Sequence, residues 1–202
     1  MRRNLELLRR WSLQRLRGEV SIDRLVAEGL ELGTGTYIGR GVYLDAGHPW
    51  LISIGDHSVL TSGTVVLAHD GSTRLHTGCT RIARVAIGKR VFVGAGAVIL
   101  PGSSIGDDSI VGPLAVVRGD IPPRSLVVGN PAKVVSDVDS FAERHRNAAA
   151  SGPAWPYKGW MAGRGVTEEA KREQREALAG GVSGYLSGSL PERPPSKAEQ
   201  RA

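Results

Sequence analysis

A single cysteine, Cys79, occurs in 202 residues, so no intrachain disulfide can staple the chain, a usage consistent with a reducing compartment. Aromatic residues are scarce, with two Phe, four Tyr and four Trp. That scarcity excludes a broad core built around large rings and leaves Val, Ile, Leu and Ala to fill a narrow one. No apolar run is long enough for a signal peptide or a membrane span, and the expected location is the cytoplasm. The formal net charge is +6, but the basic residues gather toward the termini and no reader motif accompanies them. Nucleic acid is therefore not an expected partner; anionic small molecules suit the charge better, and contact with a membrane surface is the weaker alternative.

Glycine, by contrast, is abundant at 27 residues, and hydrophobic residues make up 41% of the chain, too many for a wholly disordered protein. Between Ile87 and Val117 a branched aliphatic falls on every sixth position: Ile87, Val93, Ile99, Ile105, Val111 and Val117. Gly88, Gly94, Gly106 and Gly112 immediately follow four of them. An amphipathic helix repeats near 3.6 residues and a half-buried strand at 2, so neither brings these side chains together. Six residues per side of a three-sided coil does. Residues 18 apart then stack, Ile87 with Ile105, Val93 with Val111 and Ile99 with Val117, as the interior columns of a parallel β-helix.

The register runs upstream through Leu32, Ile38, Leu44, Ile54, Leu60 and Val66 with two interruptions. Leu44 to Ile54 takes ten residues instead of six, which predicts a short bulge over Asp45 to Ser53. Val66 to Ile87 takes twenty-one, which predicts a longer excursion near Gly71 to Arg84. Loops that break a rigid repeat commonly carry function. The predicted organisation is an N-terminal helical cap over 1–29, with an amphipathic helix at 2–17; a β-helix over 30–135; a helical extension over 136–186; and a disordered tail from 187 to 202. Prolines in Ile121-Pro122-Pro123 and Gly129-Asn130-Pro131 are expected to stop ladder pairing at the exit. Helices are predicted over Asp139 to Ala149 and Thr167 to Ala179. The aromatic run Trp155-Pro156-Tyr157-Lys158-Gly159-Trp160 between them either packs the tail back on the coil or rims a sugar site.

Leu67-Ala68-His69-Asp70 sets a histidine at the mouth of the longer excursion, on a stiff support. An imidazole there can accept a proton from a hydroxyl or amine near neutral pH. The repeat, the His69-Asp70 element and the closing run from Asp120-Ile121-Pro122-Pro123 to Gly129-Asn130-Pro131-Ala132-Lys133-Val134 resemble the hexapeptide-repeat acyltransferases. Asp45-Ala46-Gly47-His48-Pro49-Trp50 and Leu67 to Thr73 are similar to the branch related to maltose acetyltransferase and found with polysaccharide biosynthesis enzymes. The likeness covers roughly residues 20 to 150.

That resemblance implies a left-handed parallel β-helix working as a homotrimer. It implies transfer of an acetyl group from acetyl-coenzyme A to a saccharide hydroxyl, without an acyl-enzyme and with no metal expected. His69 matches the general base, and the Ala95 amide matches the donor to the thioester oxygen. Phe92, Gly94, Ala95, Pro113, Arg118 and Lys133 match cofactor-binding positions. This chain departs from the pattern in reading Arg118-Gly119 where many relatives have Thr-Lys. Asp45, His48 and Asp70 are expected to orient the base or bind the acceptor, while His48-Pro49 could equally be a turn, and Asp70 could simply begin the loop.

Competing readings are an N-acetyltransferase acting on an amino sugar nucleotide, a noncatalytic scaffold, and a zinc-dependent carbonic anhydrase-like β-helix. Zinc would need three protein ligands and an open position. His69 and His76 with His57 or His48 do not match that family's ligand spacing.

Overall fold

The computed structural model describes residues 21–187. The expected helix at 2–17 and the tail beyond Ser187 lie outside the described residues. The chain winds as a left-handed parallel β-helix with three sides, each a stack of very short strands. The first side stacks Glu31–Leu32, Ile52–Ile54, Val85–Ile87, Ser104–Ile105 and Asp120–Ile121. Tyr37–Ile38, Val59–Leu60, Phe92–Val93, Ile110–Val111 and Ser125–Val128 form the second, and Tyr43–Leu44, Val65–Val66, Val98–Ile99 and Val116–Val117 the third.

The six-residue register becomes physical stacking. Ile87 pairs with Ile105, Val93 with Val111, and Ile99 with Val117. Across the short bulge Leu44 pairs with Val66, and across the long excursion Val66 pairs with Ile99, so both interruptions leave the columns intact. Leu60, Val66, Val93, Ile99, Val111 and Val117 are completely buried. Each such side chain contributes about 1.5–3 kcal/mol by leaving water. A second interior column of small residues lines the corners, where Thr64, Ala97 and Ala115 stack at one and Ser58, Val91 and Ser109 at another. Its hydroxyls are buried without cost because they bond corner carbonyls, as Ser58 Oγ does to Gly88 O at 2.7 Å. Glycine at the corners permits this closeness: a Cβ on Gly94 would stand 2.5 Å from Pro113 N of the next coil.

Two expectations shift at the ends of the repeat. Pro122 and Pro123 do not end ladder pairing, because Ser125–Val128 adds one more parallel strand to the second side. Pairing changes only after Asn130-Pro131, where Lys133–Asp137 turns back antiparallel along Ser125–Val128 and covers that end of the coil. The short bulge is also tighter than predicted: Ile52 and Ser53 already belong to the first side, leaving a single 3-10 turn at Pro49–Leu51. At the upstream end a helix at Ile22–Ala27, capped by Ser21 Oγ, buries Leu25 in the core.

From Ser140 onward the described residues form a separate compact unit. Helices occur at Val138–Ser151, which begins in the first unit, and at Glu168–Ala177, where Thr167 Oγ1 accepts the Ala170 N–H. Trp155 is buried within this unit, stacked on Trp160 at 5.7 Å, and its Nε1 donates to Glu173. Trp155 and Trp160 of the aromatic run thus pack inside their own unit.

Candidate active site

Both interruptions fall at the same corner of the coil, between the third side and the first, on successive turns. In the first, Asp45 follows the inward-facing Leu44 and stays inside, completely buried. Its Oδ1 accepts the Gly47 N–H at 3.0 Å, closing an Asx-type turn before His48 and Pro49. One coil on, Ala68 N and His69 N both donate to Asp45 Oδ2, at 2.9 and 3.0 Å. The same oxygen lies 2.5 Å from His69 Nδ1.

Burial opposes ionisation of Asp45, but the N–H of Ala68, the His69 ring and the Gly47 N–H outweigh it and hold the carboxyl below its ordinary range. A charged Asp45 with Nδ1 donating to it assigns the proton of neutral His69 to Nδ1. Nε2 then carries the lone pair, the form a general base requires.

His69-Asp70 pairs antiparallel with Arg81-Ile82, so the long excursion is a hairpin whose base is tied down. Its tip holds one helical turn, Arg74–Thr77, closed by Gly78 in the left-handed region. Arg81 Nη1 donates to Pro101 O of the next coil at 2.9 Å and anchors the hairpin to the wall. Between hairpin and wall lies a cavity of about 660 Å³ lined by Leu67, His69, Asp70, Gly71, Thr73, Arg81, Leu100, Pro101 and Arg118. Leu67, Leu100 and Arg118 each follow an inward residue of the third side, so the coil stacks them into one column.

The other anticipated residues divide by corner. His48 stands beside the base, its ring 5.5 Å from that of His69, with a buried Nδ1 that has no hydrogen-bond partner among the described residues. Asp70 lines the cavity but spends Oδ1 on the Ser72 N–H, and that bonding to Ser72 lowers its pKa; the carboxylate on the imidazole is Asp45. Arg118, anticipated among the cofactor contacts, is in the His69 cavity. Gly94, Ala95 and Pro113 occupy a different corner, between the second and third sides, where Leu114 N donates to Ala95 O. Among the described residues no group accepts the Ala95 N–H. Phe92 is half-exposed on the second side, and Lys133 begins the antiparallel strand. A whole side of the prism separates Ala95 from His69.

His57 sits at the remaining corner, and His76 is exposed on the hairpin tip, so neither joins His69. Asp45, His48 and His69 are the one cluster among the described residues whose ligand atoms, all within 4.8 Å, could hold a metal ion. Asp45 Oδ2 already accepts three N–H donors, which leaves little lone-pair capacity for one. Sequence reasoning missed Arg81, because its place depends on a hairpin pairing that the six-residue register does not describe.

Residues 84–119 match the bacterial transferase hexapeptide (six repeats) family. The protein YvoF of Bacillus subtilis, whose name marks it as a candidate acetyltransferase, is 32% identical over 120 residues, 59% of this chain and 67% of that one. A serine acetyltransferase of Helicobacter pylori is 38% identical over 109 residues, 54% of this chain and 61% of that one. A hexapeptide-repeat acetyltransferase from Vibrio cholerae O1 biovar eltor, solved with acetyl-coenzyme A, is 32% identical and covers 55% of this chain and 61% of its own, with a TM-score of 0.49. A left-handed coil with this repeat and a relative matched over two thirds of its length make the chain a member of the bacterial hexapeptide-repeat transferases, an acyltransferase.

Proposed function

We propose that the protein is an acetyl-coenzyme A dependent O-acetyltransferase acting on a hydroxyl of a saccharide, with His69 as general base. The observation that carries this is the His69–Asp45 pair, with Nδ1 bound to a buried carboxylate and the ring on the wall of an open cavity. In the step, Nε2 takes the proton of the acceptor hydroxyl while its oxygen attacks the thioester carbonyl carbon. The C–S bond then breaks, and the coenzyme A sulfur leaves with the proton that His69 received. The products are an acetyl ester and free thiol, and the enzyme returns to its starting state with no acyl-enzyme formed.

Charge that builds on the thioester oxygen needs a donor, a role that fits the unengaged Ala95 N–H. Because Ala95 and His69 occupy different corners, one complete site requires two chains. A closed cyclic trimer, with the His69 corner of each subunit facing the Ala95 corner of the next, satisfies this three times over. Phe92, Gly94, Pro113 and Lys133 share that second region and would hold the coenzyme A arm and phosphates. Among the described residues no helix is long and apolar enough to cross a membrane. We place the protein in the cytoplasm, acting on a polysaccharide precursor.

The test is His69→Ala, followed by thiol release with acetyl-coenzyme A and saccharide acceptors. Turnover is expected to fall by about 10²–10⁴-fold while coenzyme A binding persists; near-native turnover overturns the assignment. Hydroxyl and amine acceptors on the same ring separate O- from N-transfer, and stoichiometric zinc in the purified protein with hydration activity would replace this reading by the metal one.

A further inference from the structure

The cavity beside His69 carries more positive charge than deprotonating a neutral sugar calls for. Two guanidinium groups, Arg81 and Arg118, line it against a single carboxylate, Asp70. Neither arginine takes part in an ion pair among the described residues. Cations on the corner between the first and second sides behave differently: Lys89 pairs with Asp56, Arg90 with Asp108 and Arg124 with Asp139. Among the described residues the chain therefore ties its cations into salt bridges at one corner and leaves Arg118 and Arg81 without one around the base, Arg81 feeling only the charge of Asp70 opposite it on the hairpin.

Arg81 is also held in place. Its Nη1 donates to Pro101 O, and its Nη2 lies where a Cβ on Gly102 would come within 2.9 Å, so the guanidinium rests across a glycine that itself adopts a positive φ of 84°. Arg118 comes from the rigid wall, stacked in the column of Leu67 and Leu100. One cation from the hairpin and one from the coil thus face the same space as the catalytic imidazole.

We propose that the acceptor bears an oxyanion, a carboxylate or phosphate group, near the hydroxyl that is acetylated, and that Arg118 and Arg81 together select for it. Guanidinium forks match the paired oxygens of such groups, and charge-assisted hydrogen bonds are roughly twice as strong as neutral ones. The acceptor class is then a sugar acid or sugar phosphate rather than a neutral saccharide. This rests on the assignment of His69 as the base for acyl transfer, and the experiment keeps the two apart.

Glucose, glucuronate and glucose 6-phosphate share a ring and differ in charge. Initial rates of thiol release would be compared for the native protein, Arg81→Gln, Arg118→Gln and the double variant. In parallel, calorimetric titration of the His69→Ala protein, with and without the two arginine changes, reads acceptor binding without turnover. We expect the native protein to favour one anionic member over glucose by about 10- to 100-fold in kcat/KM. The double variant is expected to bring that ratio to near one, in rate and in binding; the anion preferred separates carboxylate from phosphate. Equal use or equal binding of neutral and anionic members by protein with both arginines overturns the proposal, as does a preference that survives the double substitution. Normal turnover by His69→Ala would instead remove the base assignment, while the titrations still judge the arginines.

Discussion

Two corners of the same coil receive identical strands and do different things with them. At the corner between the first and second sides, every coil turns in the same compact way, with His57, Arg90, Asp108 and Arg124 all in the left-handed region. Carboxylates of neighbouring turns cover its cations, as Asp108 does by accepting Arg90 Nε and Nη2 at 2.6 and 2.7 Å. At the corner between the third and first sides, two coils leave the wall, a carboxylate is buried behind a histidine, and two arginines line the cavity, neither in a salt bridge among the described residues. Repetition closes one corner, whereas insertion opens the other. Rigidity and reactivity can be separated in this way because the inward columns run undisturbed past both insertions.

If that division holds, substitutions at the open corner act first on turnover, and those in the inward columns act on stability alone. His69→Ala should give the largest loss, as above, with the coil still folded. Next is Ala95→Pro, which removes one N–H. Proline already occupies the equivalent turn position of the next coil, Pro113, so the backbone accepts it; turnover should drop by about 10²–10³-fold with the fold kept. Mixed trimers of His69→Ala and Ala95→Pro chains should regain activity at about a quarter of the sites, since a native His69 and a native Ala95 meet at that fraction of interfaces. Mixing without recovery would mean that the two corners do not share a site.

Asp45→Asn should lower kcat by about 10–100-fold, part of the roughly 10²–10⁴-fold that general-base catalysis contributes, because the amide no longer holds the proton on Nδ1. It also carries a pH signature. Because folding lowers the Asp45 pKa, ionised Asp45 adds stability above its unfolded value of about 3.9, and this is lost as pH falls through the folded value. In urea unfolding, the stability gap between native protein and Asp45→Asn should therefore narrow below about pH 4. Ile99→Ala reverses the pattern, costing about 2–5 kcal/mol in chemical denaturation while the folded fraction keeps its kcat. The smallest effect belongs to Arg90→Ala at the closed corner: its pair with Asp108 is solvent-accessible, and neither the melting temperature nor the rate should change measurably.

Much of the coil was legible from residue spacing. Ile87 to Val117 announced their own stacking, and the interruptions at Asp45 and after Val66 showed where the wall would open. Even the column of Leu67, Leu100 and Arg118 follows from the register once the two insertions are counted. The hydroxyl column of Ser58, Thr64 and Ser109 was not legible, because Ser and Thr read as polar until a corner carbonyl is seen to accept their protons. Pro122 and Pro123 misdirected the reading for a related reason: a corner has no ladder hydrogen bond for them to break.

A six-residue period is a local property of the chain, and it was enough to specify a three-sided coil, its interior and the side on which His69 emerges. Which carboxylate meets that histidine is not a local matter. Asp70 is its neighbour in sequence, yet alternation along a strand turns the two side chains apart, and Asp70 settles on Ser72. Asp45, one coil away, comes within 2.5 Å because the short bulge folds it inward beneath Ala68 and His69, and Arg81 reaches the same cavity only because the hairpin returns antiparallel. Those meetings depend on how loops of different length close against a rigid wall, a distance in space that no count of residues along the chain contains.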